Sequence, residues 1–148
     1  MTTAGPLARR VASDADQQAA FAVRHAVFVL EQGVPVEEEL DARDADAVHV
    51  VAVDPRGAVV GTCRVLRDDA TTARIGRMAV LAPHRGRGYA QALVALAERQ
   101  AAADGAERIV LDAQLTAQEF YRRCGYNAHG PVFVDAGIDH ISMTKRLA

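Results

Sequence analysis

The alternation of apolar and polar residues along the chain changes period several times, and each change marks an element. Leu7–Val11 reads as a short strand. Ser13 then offers a helix N-cap, with Asp16 three residues on as a capping-box partner. Phe21, His25, Phe28 and Val29 follow at i, i+4, i+7 and i+8, one face of a helix that Gly33 and Pro35 end. His25, on that stripe, is expected to be packed. The run from Glu37 to Asp46 holds six carboxylates and is expected to form a solvated loop. Val48–Val53, Ala58–Arg67 and Ala73–Leu81 are β-rich, the first two joined by the turn sequence Asp54-Pro55-Arg56-Gly57. His49, in an apolar run, is read as a packed, hydrogen-bonded strand residue. A second long helix is predicted over Gly86–Ala103, with Tyr89, Leu93, Leu96 and Ala97 on one stripe. Arg108–Asp112 is a buried-type strand, and Thr116–Cys124 a short helix closed by Gly125. Val132–Val134 and Ile138–Thr144 form a hairpin around Asp135-Ala136-Gly137.

The order β-α-β-β-β-α-β-α-β-β puts strands on both sides of the central helix, which predicts a βαβ crossover. The fold class is therefore α/β (α+β), a central mixed β-sheet flanked by helices. At 148 residues the chain has one domain's length, and no repeat or linker divides it. Residues 1–148 are read as a single domain. Half the residues are hydrophobic and 24% charged, which excludes a disordered chain or a disulfide scaffold. Seventeen basic and nineteen acidic groups leave a net charge of −2, so nothing draws the chain generally to nucleic acid or an anionic membrane. No apolar leader core follows Met1, and Ala92–Ala97 is far short of the ~20 residues of a membrane span. A cytoplasmic protein without nucleic-acid or membrane partners is expected. Cys63 and Cys124 have no C-x-x-C spacing, and the acidic run lacks the EF-hand pattern, so no metal is expected. Sixteen arginines stand against one lysine, Lys145. Either composition bias or anion recognition accounts for them, and composition alone does not choose.

The chemistry concentrates in Gly76 to Ala90. A β-run stops at Pro83, Arg85-Gly86-Arg87-Gly88 turns the chain, and a helix begins at once. The first turn of a helix presents unpaired N–H groups at the positive end of its dipole. Glycines there let an anion approach the amides, and Arg85 and Arg87 add charge. An ordinary strand-to-helix turn has the same glycines, so the pattern alone leaves both readings open. Neither the Walker pattern nor G-x-G-x-x-G is present.

Arg85-Gly-Arg-Gly88-Tyr-Ala90 resembles the R/Q-x-x-G-x-G/A signature of the GCN5-related N-acetyltransferases (GNAT), in the same strand-to-helix context. The segments Val27–Pro35, Glu39–Asp41, His49, Ala113-Gln114, Phe120–Tyr126 and Gly137–Met143 are similar to the ElaA-type branch. The resemblance implies the acyl-CoA N-acyltransferase fold and acetyl-coenzyme A as co-substrate. Backbone groups of Met78, Ala79 and Val80 would hydrogen-bond the pantetheine arm like an added strand. Arg85, Gly86, Arg87, Gly88, Tyr89 and Ala90 would cradle the pyrophosphate, with Gln114 either helping to bind the coenzyme or simply a polar residue at a strand end. Tyr121 would be the general acid for the departing thiolate, or else a core aromatic. His140, on the strand face shared with Ser142 and Thr144, is a candidate base or acceptor contact, or a structural histidine. Glu31, with Gln32, is a second candidate base or acceptor contact, or a solvated helix end. Cys124 has no adjacent histidine to activate it, which favours direct attack over an acyl-cysteine. The implied function is N-acetyl transfer to a small-molecule or peptide primary amine. The competing reading is a non-catalytic coenzyme-A-binding sensor. Assembly as a homodimer is an open expectation.

Overall fold

The structure, a computed structural model, describes residues 6–148. The first five residues, part of the stretch read for a leader, lie outside that range. Seven strands form one mixed sheet: β1 (Leu7–Arg10), β2 (Val48–Val53), β3 (Val59–Arg67), β4 (Thr72–Val80), β5 (Arg108–Gln114), β6 (Asn127–Asp135) and β7 (Ile138–Arg146). Their order is β1-β2-β3-β4-β5-β7-β6. Four α-helices flank it: α1 (Asp14–Arg24), α2 (Val36–Glu39), α3 (Tyr89–Ala103) and α4 (Gln118–Arg123).

The period-two pattern of β2 sorts the helices onto opposite faces. Val50 and Ala52 join the core under α3, with Leu93, Ala97 and Ile109. Val51 and Val53 turn to the other face and meet Ala20 of α1. The predicted crossover is present: β4 and β5 are parallel, with α3 between them in sequence.

Ser13 caps α1 through a hydrogen bond from the Asp16 amide. The helical path then continues through a π-helical segment, His25–Glu31, in which the Gln32 amide reaches back five residues to the Val27 carbonyl. Its buried face carries Ala20, Val23, Arg24, Val27 and Phe28, while His25 is exposed. The expectation of a packed His25 is therefore corrected. Apolar periodicity pointed one residue away because it discounted Arg24, which is 1% exposed.

The same arginine overturns the solvated acidic loop. Glu37–Asp46 folds into α2 and a 3-10 turn, Ala42–Asp46, and commits Glu39, Asp41 and Asp44 to ion pairs with buried arginines. Arg24 donates to Glu39 at 2.5 Å and to Asp44 at 2.7 Å. Arg64 of β3 donates to Asp41 at 2.7 Å and to Asp44 at 2.9 Å. Burial raises the Asp44 carboxyl, but the arginine hydrogen bonds outweigh it and hold it below the usual range. Hydrogen bonding from Arg64 brings Asp41 down to about 2.

Candidate active site

The site begins where the sheet parts. β4 and β5 pair only over Thr72–Arg74 and Arg108–Val110, and both strands run on beyond that. The cause lies in β4. Thr62 of β3 faces Ala79 and Arg64 faces Gly76, so Arg77 and Met78 share one position opposite Cys63. This is a β-bulge, and Arg77 takes the left-handed backbone it needs, at φ 52°. Ile75 and Met78 consequently meet the same core although they are three residues apart. The strand bends, and a cavity of about 1240 Å³ opens beside it.

The glycine turn forms one end of this cavity. Gly86 and Gly88 have φ of 75° and 90°, conformations that side chains disfavour, and a Cβ at Gly86 would meet nothing within 4 Å. Gly88 caps α3 without a side chain. The first bonded amide of the helix is that of Ala92, so those of Tyr89, Ala90 and Gln91 have no intrahelical partner. An open cradle, free helix amides and a parted strand fit a diphosphate joined to an extended arm.

Most of the residues singled out from the sequence meet here. Met78, Val80, Arg85, Gly86, Gly88, Tyr89, Ala90, Gln114, Tyr121 and His140 all line the cavity. Ala79 turns away and packs with Val23, Val27 and Phe28 on the α1 face. Arg87 is exposed and outside the lining. Glu31 is also outside it, but makes a two-pronged ion pair with Arg85, both bonds 2.8 Å. That hydrogen bonding lowers the Glu31 carboxyl and raises the Arg85 guanidinium. Arg85 further donates to the Val80 carbonyl at 2.9 Å.

Tyr121 is 6% exposed, edge-on to Phe120 and Tyr126, and burial pushes its phenol well above the usual range. The His140 ring stacks on Phe133 at 5.7 Å. Its Nδ1–H donates to the Ile138 carbonyl at 2.7 Å, which leaves Nε2 as the basic nitrogen of the neutral ring. Gln114 lies opposite His140 in the ladder and donates to Gln32 at 2.9 Å, joining β5 to the end of the π-helical segment. His49 donates to the Asp44 carbonyl at 2.9 Å, as its strand context implied. Cys63 is buried and its thiol pushed up to about 12, and burial raises Cys124 as well.

The sequence pattern did not single out Arg77 or His84. His84 lines the cavity beside the glycine turn, edge-on to Tyr89 at 6.0 Å, with its Nδ1 unpartnered among the described residues. For Arg77 the only trace in the sequence is the odd spacing of Ile75 and Met78.

Residues 11–147 match the acetyltransferase (GNAT) domain family. YjcF of Bacillus subtilis, described as an uncharacterized N-acetyltransferase, is 39% identical over 127 residues, covering 85% of this chain and 89% of that protein. A crystal structure from Lactobacillus plantarum aligns with a TM-score of 0.88 at 31% identity, over 98% of this chain and all of that one. Escherichia coli ElaA aligns with a TM-score of 0.83 at 26% identity, over 95% and 99% of the two chains. An aminoglycoside 6'-N-acetyltransferase complexed with coenzyme A, 17% identical, shares the fold with a TM-score of 0.73 over 95% of this chain and 96% of its own. The bulged strand, the glycine turn and these similarities agree: the chain belongs to the GNAT acetyltransferase family.

Proposed function

We propose that this acetyltransferase moves the acetyl group of acetyl-coenzyme A onto a primary amine by direct attack within a ternary complex. The coenzyme supplies the acetyl group as an activated thioester. Where β4 leaves β5, the edge of Met78–Val80 is open to its arm apart from the Val80 carbonyl that Arg85 holds, and Gly86–Ala90 offer amides to its diphosphate. Tyr121 holds a proton at its phenolic oxygen for the departing thiolate, and its raised pKa keeps that proton in place at neutral pH. His140 offers the lone pair of Nε2 to the amine proton. Glu31 stands outside the cavity lining with both oxygens held by Arg85, which favours His140 over Glu31 as the base. Gln114 and Gln32 bridge the two sides between them. Neither thiol is activated, which supports direct attack over an acyl-cysteine.

The observation that carries this reading is the convergence of the parted strands, the glycine turn, Tyr121 and His140 on one cavity. Coenzyme A at ~100 times its Kd should add about 2.7 kcal/mol of stability, read as a rise in Tm. With an amine that turns over, Tyr121→Phe should lower kcat about 100-fold while coenzyme affinity stays within about twofold. An unmoved Tm would remove the donor assignment. Coenzyme binding without turnover of any amine in a broad panel would make the protein the non-catalytic sensor instead.

A further inference from the structure

Arg77 is the residue of β4 whose backbone and side chain face two different problems. Its left-handed φ of 52° sits in the bulge, immediately before Met78–Val80. A long, β-unbranched cation is a costly choice there, since glycine adopts this conformation without strain. The side chain supplies the reason for arginine. Its Nε donates to the Glu39 carbonyl at 3.2 Å, and its Nη2 to the Glu38 carbonyl at 3.3 Å and to Asp41 at 3.2 Å. These are the last turn of α2 and the residue after its cap, and Glu38, Glu39 and Arg77 all line the cavity. Arg24 grips the buried side through the Glu39 carboxylate and carbonyl, and Arg77 is the tie from β4 to the α2 segment. That segment is four residues long, and Val36 and Leu40 are 45% and 48% exposed.

We propose that Arg77 is a positioning residue that ties the donor strand to the acceptor lip, its backbone opening the coenzyme slot and its guanidinium holding α2 over the acceptor end of the cavity. The assignment of donor and acceptor ends rests on the acetyltransferase reading above. The tie itself rests on geometry alone. The guanidinium spans two carbonyls and a carboxylate, an arrangement that the planar fork of arginine fits and a lysine ammonium does not. Burial, and the neighbouring Arg64, lower the Arg77 pKa, and the guanidinium still stays protonated at neutral pH.

Arg77→Gly separates the two roles, because glycine keeps the left-handed backbone and removes only the tie. Amide exchange is the first measurement. The amides of Glu38, Glu39 and Leu40, bonded to Pro35 and Val36 carbonyls, should exchange at least about tenfold faster in R77G, while those of β2 are unchanged. Coenzyme Kd should stay within about twofold, and the acceptor KM should rise about tenfold with kcat little changed. R77A, which loses the tie and also strains the bulge, should weaken coenzyme binding as well. R77K should lie between wild type and R77G in lip exchange, and it carries the test if R77G does not fold. Unchanged lip exchange in R77G, or an equal loss of coenzyme and acceptor binding, would overturn the proposal. If the wild-type protein bound no coenzyme, the acetyltransferase reading would fail, and the exchange measurement would still decide whether Arg77 holds α2.

Discussion

Glu37 and Glu39 are two residues apart in one acidic run, yet they stand in opposite physical situations. Glu37 is exposed, whereas Glu39 is 3% exposed and 2.5 Å from an arginine as deeply buried as itself. Removing one partner of a buried pair strands the other charge without solvation. Glu39→Ala is expected to lower stability by about 3 kcal/mol, and Glu37→Ala to change it by less than about 0.5 kcal/mol. Denaturant titration of both variants checks the contrast. No local signal distinguishes these glutamates, because the difference is made by Arg24, fifteen residues upstream. Gly86 and Tyr121, by contrast, were legible. A glycine before a helix and an aromatic before a helix-closing Gly125 are local patterns, and both residues line the cavity.

Among the elements, the strands other than β6, and α3, follow the sequence pattern closely, since each is encoded by a period its own residues repeat. The errors fall where an element departs from its period. The π-helical His25–Glu31 segment has a wider turn than an α-helix, and the bulge in β4 adds a residue to a strand. β6 runs from Asn127, well before the Val132 expected, because pairing with β7 recruits residues that have little strand preference of their own. The α2 region also sets a response to acid. Asp41, down to about 2, and Asp44, also lowered, both have folded-state pKa values below those of the unfolded chain. Their contribution is complete above about pH 4 and is lost as pH falls toward about 2. Stability should therefore drop over that window, and Asp41→Asn should flatten the drop. Thermal melts between pH 5 and pH 2 measure it; an equal slope in the variant would remove this account.

At the scale of the whole molecule, burial is uneven across the sheet. β3 is buried along nearly its whole length between α1 and α3, while β6 is a sheet edge with almost every residue exposed. Native-state hydrogen exchange should protect β3 amides most and release those of β6 at least about tenfold sooner. The arginine surplus also acquires a meaning at this scale. Arg24, Arg64, Arg74, Arg77 and Arg85 are each paired with carboxylates of the chain itself. Much of the charge that suggested anion recognition is spent on internal ion pairs. What remains open to an anion is the turn itself, with the unbonded amides at the start of α3. The sequence by itself determined the periodic elements, their order, and the glycine turn at the start of α3, because these depend on neighbours along the chain. Only the tertiary structure decided that β4 leaves β5 after Arg74, that Glu31 meets Arg85 across 54 residues, and that Gln32 meets Gln114 across 82. Those choices depend on which faces come together when the core closes, and a one-dimensional pattern carries the faces but not their partners.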